Sequence, residues 1–147
     1  MGAHPWFYFV KYQADIGGAL QALRRREFEA GRYNPVMPFP AFPVDANSPA
    51  PGAQHASIEE AMEDADADGT RSILDMERVS QTPDYGAVTP VPRAVVVELF
   101  GTDKPTREMI ERNTSLFEMI ERGQGICIIA YEDGRPSEIF FAGYSFD

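Results

Sequence analysis

Asp133-Gly134 constrains the fold more than any other pair of residues in the chain. An Asp-Gly dipeptide supplies the positive φ that both centres of a two-residue turn require, so it joins its flanking segments as an antiparallel hairpin. Those segments, residues 125–132 and 136–143, carry Ile126, Cys127, Ile128 and Ile129 on one side and Ile139, Phe140 and Phe141 on the other. Pairing Glu132 with Arg135 and continuing without interruption sets Ile129 opposite Glu138, Ile128 opposite Ile139, Cys127 opposite Phe140 and Ile126 opposite Phe141. Both faces are then apolar away from the turn, as in strands covered on both sides. Pro136 falls where no third strand can pair with it, and Glu138, the polar exception, is expected to be solvated.

The chain has 147 residues, enough for one well-buried core and short for two, so we expect a single α+β domain over residues 1–147. Its 13 Lys and Arg residues stand against 23 Asp and Glu, a formal net charge of -10 that repels nucleic-acid phosphates and anionic lipid surfaces. A basic protein partner, a cation or a neutral small molecule fits that balance. The single cysteine, Cys127, allows no intrachain disulfide and lies inside an apolar strand, which suits a reducing compartment. The start of the chain shows no basic stretch followed by a long apolar run, so we expect a cytoplasmic protein that does not enter a membrane.

Residues 6–12, Trp-Phe-Tyr-Phe-Val-Lys-Tyr, are rich in strand formers and predict a first strand. Asp15 can cap a helix that runs to about Ala30, with Ile16, Ala19, Leu20 and Leu23 as its apolar stripe and Gly31 as its stop. Arg24, Arg25 and Arg26 spread around that helix and are expected to form a solvated face paired with Glu27, Glu29 and the acidic segment beyond. Residues 34–56 form a long proline-rich loop. Val36, Met37, Phe39 and Phe42 are expected to lie over the core and residues 45–54 to be exposed. Ser57-Ile-Glu-Glu60 is a capping box that starts a short acidic helix at Ile58.

Residues 81–91 read as a polar, proline-bounded connection. The segment 92–101 is ambiguous, with its three valines favouring strand and its proline and glycine a short helix; we take helix. Residues 105–122 predict an amphipathic helix with Met109, Ile110, Leu116, Phe117 and Ile120 inward. The order β-α-loop-α-β-α-α-β-β predicts helices packed on a mixed sheet of about four strands.

Two segments carry chemistry. Asp64, Asp66, Asp68, Ser72 and Asp75 put oxygen side chains at positions 1, 3, 5, 9 and 12 of a twelve-residue stretch, with Gly69 at position 6 and Thr70 at position 7. Alternate carboxylates in a sharply turning loop can converge on one hard cation needing six to eight oxygens. The stretch resembles an EF-hand-type calcium loop, and Asp at position 12 is closer to the dockerin variety. That resemblance implies calcium as the ligand. The alternative is an acidic helix end that breaks at Gly69 into a strand over residues 71–79.

Gly31-Arg32-Tyr33-Asn34-Pro35 resembles the corresponding stretch of the RES-domain toxins, NAD consumers related to ADP-ribosyltransferases. The resemblance implies an Arg and nearby aromatic groups lining a nicotinamide pocket, which points to Arg32 and Tyr33; His55 is a further candidate for a pocket beside them. The alternative is that Gly31 ends the helix, Tyr33 packs and Asn34-Pro35 turns the chain. Zinc-ligand spacing, a phosphate-binding glycine loop and a nucleophile turn are all missing from the sequence. The expectation that follows is a small acidic domain that acts by binding, most simply to a protein partner. A small-molecule or NAD-using enzyme and a calcium-binding protein are the competing classes.

Overall fold

The computed structural model describes residues 4–36, 43 and 45–146. Five strands form one mixed sheet: β1 (Pro5–Lys11), β2 (Arg78–Val79), β3 (Ala87–Pro90), β4 (Gly125–Glu132) and β5 (Arg135–Tyr144), in the spatial order β1-β5-β4-β3-β2. The hairpin β4–β5 and the β1–β5 pair are antiparallel, while β4–β3 and β3–β2 are parallel. Four helices accompany the sheet: α1 (Ile16–Ala30), α2 (Ile58–Ala65), α3 (Arg93–Phe100) and α4 (Arg107–Arg112). The α+β class stands, with one strand more than expected.

The additional strand is β3, which lies in the segment read as a connection. Tight 3-10 turns replace two expected elements. Strand 71–79 shrinks to β2, preceded by a turn at Ile73–Asp75. Helix 105–122 stops at Arg112, and a turn at Leu116–Met119 follows. The cause is local: the Asn113 side-chain oxygen accepts from the Ser115 N–H and hydroxyl, both at 2.9 Å, which offers the backbone a turn instead of a helix. Elsewhere the caps behave as read. Asp15 accepts from Gly18 N–H, Ser57 from Glu60 N–H, and Gly31 closes α1 at φ 77°.

The hairpin register differs by one residue from the uninterrupted pairing. A bulge between Ala130 and Tyr131 sets Ala130 opposite Glu138, Ile129 opposite Ile139, Ile128 opposite Phe140 and Cys127 opposite Phe141. A single inserted residue exchanges the faces of everything beyond it. Cys127, Ile139 and Phe141 therefore join Trp6, Tyr8, Leu20, Leu23, Leu74 and Met76 in one core beneath α1. Ile126, Ile128, Ala130 and Phe140 join Ile110, Leu116 and Ile120 in a second core on the opposite face. Glu138 is not simply solvated: Arg107 Nη1 meets its carboxylate at 2.9 Å while the same guanidinium lies over the Phe9 ring.

Cys127 is buried, and that burial pushes its thiol up to about 12. A folded-state value above the unfolded one contributes stability that is complete below the unfolded value and is lost as pH rises through the folded one. Between about pH 9 and 12 the thiol alone is therefore expected to lower stability by up to about 1.4 kcal/mol per pH unit. Urea melts of the wild type and Cys127→Ala across that range test this. The difference between the two should narrow with rising pH, and a constant difference would refute it.

Candidate functional site

The residues singled out by the NAD-consumer resemblance do come close to one another. Gly31 leaves α1 in the left-handed conformation, and a Cβ there would sit 2.2 Å from the Gly52 carbonyl oxygen, so only glycine lets the loop approach. Gly52 N–H and Ala53 N–H donate to the Ala30 and Glu29 carbonyls, and Arg32 Nε donates to the Ser48 carbonyl at 3.0 Å. Residues 45–53 are thus tied to the end of α1, although many of their side chains stay exposed. Met37, Phe39 and Phe42 lie outside the described residues.

Tyr33 stacks on Phe28 and is only 2% exposed. Its hydroxyl lies 2.8 Å from His55 Nδ1, accepts from Gln54 N–H at 3.3 Å, and His55 Nε2 lies 2.9 Å from Asp64 Oδ2. With the imidazole proton on Nε2, every donor in this Tyr-His-Asp chain meets an acceptor. The order matches an activated nucleophile, base and orienting carboxylate. The tyrosine is buried against Phe28, and in this arrangement the three residues hold the loop at 54–55 to the end of α1 and the start of α2. Of the carboxylates that could have joined this cluster, Glu27 reaches Arg32, while Asp84 pairs with Arg78 and Glu138 with Arg107.

Beside it, Glu27 is fully buried, and its Oε2 takes Arg26 Nε and Arg32 Nη1, each at 2.8 Å. The sequence predicts Glu27 on a solvated face pairing with the arginines of α1; it does pair with Arg26, and with Arg32 as well, but it is buried. The signal was present: Leu20, Leu23 and Glu27 share one helical stripe. Tyr8, buried under the helix, has its phenol raised well above the usual range, first by burial and then by the Glu27 carboxylate. Arg24 is also buried instead of solvated, donating to the Leu74 carbonyl at 3.0 Å and to Gln21 at 2.9 Å. Burial lowers its guanidinium below the ordinary range, opposed by Glu77, Glu59 and Asp75.

The six oxygen residues of the calcium-like stretch divide into two groups. Asp64, Asp66 and Asp68 point to solvent, and Asp64 also faces His55. Thr70, Ser72 and Asp75 turn inward and bond to one another: Asp75 Oδ1 accepts from Thr70 N–H and Oγ1, both at 2.8 Å, and Thr70 Oγ1 lies 2.9 Å from Ser72 Oγ. Ser72 caps the following turn at Leu74 N–H. Among the described residues no group of three or more His, Cys, Asp or Glu is arranged to hold a metal ion.

Two further features frame the surface. Helix α2 buries Ala61 and Ala65 and leaves Glu59, Glu60, Glu63 and Asp64 outward; with Asp66 and Asp68 this makes a ridge of six exposed carboxylates. A cavity of about 270 Å³ opens between the ends of β3 and β4, the first turn of α3 and Ile16 at the start of α1. At its mouth Arg93 Nε contacts Asp103 Oδ2 at 2.9 Å, and that bond holds the Asp103 carboxyl below its ordinary range.

No family model matches the chain, and no curated protein or solved structure matches it either. The functional reading therefore rests on this geometry. No described helix is long and apolar enough to cross a membrane.

Proposed function

We propose that the chain acts by binding a basic protein partner through the acidic ridge of α2 and the turn after it. The observation that carries this reading is the gathering of six exposed carboxylates on one ridge, two of them against the helix's own interest. Glu59 and Glu60 lie in the first turn, where the macrodipole favours them, but Glu63 and Asp64 lie in the last turn, which holds no basic residue. Negative charge at a helix C-terminus is unfavourable by about 0.3–1 kcal/mol per group. Asp66 adds backbone strain, since it caps the helix at φ 53° and ψ -137°, a conformation costing a non-glycine residue on the order of 1–3 kcal/mol. Carboxylates gathered this densely on an exposed ridge present a negative field that favours a cationic surface. A basic surface would relieve this repulsion, and the same field repels nucleic acid.

The NAD-consuming alternative has less support, because Tyr33 and His55 spend their hydrogen bonds on closing a loop. Calcium has less as well, because half of its candidate ligands are satisfied internally. The test compares proteins captured from a lysate by the wild type, by Glu59→Lys/Glu60→Lys/Glu63→Lys, and by Glu118→Lys/Glu121→Lys/Glu132→Lys. Both variants change net charge equally. We expect a partner retained by the wild type and the second variant and lost by the first, with salt weakening it. Equal retention by both variants, or equal loss, overturns the reading.

A further inference from the structure

We propose that the gap in the sheet between β3 and the start of α4 is a binding site for a small neutral ligand presenting a hydrogen-bond acceptor beside a donor, as the edge of an amino-substituted heterocycle does. The site is separate from the acidic ridge. Strand β3 accompanies β4 only as far as Pro90 opposite Cys127, with a last bond from Val91 N–H to the Cys127 carbonyl at 3.1 Å. The chain then leaves the sheet to form α3. It returns at Pro105, whose carbonyl accepts from Tyr131 N–H at 2.8 Å, with Thr106 opposite Tyr131.

Backbone polarity alternates along a strand. Tyr144 N–H donates to the Gln124 carbonyl, so the even residues of β4 face β5, and Cys127, Ile129 and Tyr131 face the other way. Cys127 and Tyr131 are taken by the two returning segments. Ile129 lies between them, and its N–H and C=O are aimed into the interval that β3 has vacated, where among the described residues no strand or bridge pairs with it. A donor and an acceptor on one residue, side by side at the edge of a strand, match a ligand carrying the complementary pair.

The cavity of about 270 Å³ lies at this interval, and Val91, Val96, Ile129 and Tyr131 supply its walls. It is narrow for a drug-sized molecule and suited to one small ring. Arg93 and Asp103 neutralise each other at the mouth, which selects against a net charge on the ligand.

The probe is 2-aminopyrimidine, with 2-(dimethylamino)pyrimidine as the control that lacks the donor, each titrated into the intact chain while amide resonances are followed. We expect saturable shifts at Val96, Ile129 and Tyr131, with the dimethyl compound about tenfold weaker, the value of one lost hydrogen bond. Val96→Phe, which fills the cavity, should abolish them. Equal responses to the two compounds, or no saturable shift at these amides, overturns the proposal without any variant having to fold.

Discussion

Gly143→Ala is expected to be among the most damaging single substitutions in the chain. A Cβ at this position would stand 2.4 Å from a Trp6 ring carbon and 2.6 Å from the Gln124 carbonyl oxygen. Neither neighbour can give way cheaply. Trp6 is fully buried at the centre of the core beneath α1, and the Gln124 carbonyl accepts from Tyr144 N–H, which locks the end of the hairpin. Overpacking of this kind costs about 1–3 kcal/mol and more where backbone must move, so we expect about 3 kcal/mol. For a chain of this size that is a fall in melting temperature on the order of 10 °C. Thermal denaturation followed by circular dichroism checks it. Trp6→Phe combined with Gly143→Ala should recover part of the loss, because the smaller ring withdraws from the added methyl. A Gly143→Ala protein that melts like the wild type would mean that Trp6 does not pack on this strand.

The second large effect is expected at Glu27. Its carboxylate is fully buried and holds Arg26 and Arg32, the latter also anchoring the loop through the Ser48 carbonyl. Removing one partner of a buried pair leaves an uncompensated charge and costs about 3–5 kcal/mol. Glu27→Ala is therefore expected to lose about 3 kcal/mol, toward the low end because Arg26 can reach water. Arg32→Ala should lose less by itself, and adding it to Glu27→Ala should cost little more. Urea melts of the two single variants and the double variant measure that coupling. Additive losses would show that the pair is not a unit.

How much of this was legible in the sequence depended on whether the signal was local. Asp133-Gly134 fixed the hairpin, Asp15 and Gly31 fixed the limits of α1, and Ser57 fixed the start of α2, because each acts through hydrogen bonds or φ angles within a few residues. The bulge beside Ala130 was not legible, since the extra residue, Ser137, lies on β5 between Pro136 and Glu138, and the Asp-Gly turn by itself predicts uninterrupted pairing. Strand β3 was hidden because Thr89-Pro90 reads as a connection, and its pairing with β4 comes from the far end of the chain. Helix 105–122 failed through an Asn113 turn that outweighed the spacing of its apolar residues.

The candidate sites divide in the same way. Arg32, Tyr33 and His55 are brought together by the structure, but by contacts that close a loop over the end of α1. Residue type and order suggested chemistry there, and the structure adds that Tyr33 is buried and that its hydroxyl is bonded to His55 and Gln54. The acidic ridge was visible as composition. Its outward placement and the strain at Asp66 required coordinates. The gap beside Ile129 had no sequence signal, because it arises where two distant segments share one edge of β4.

The measurement that bears most directly on the ridge as a binding surface is amide hydrogen exchange of the chain alone and with its captured partner. Slowed exchange over residues 58–68, with the hairpin of β4 and β5 unchanged, is the expected result. Protection that avoids 58–68 and appears elsewhere on the surface would contradict it.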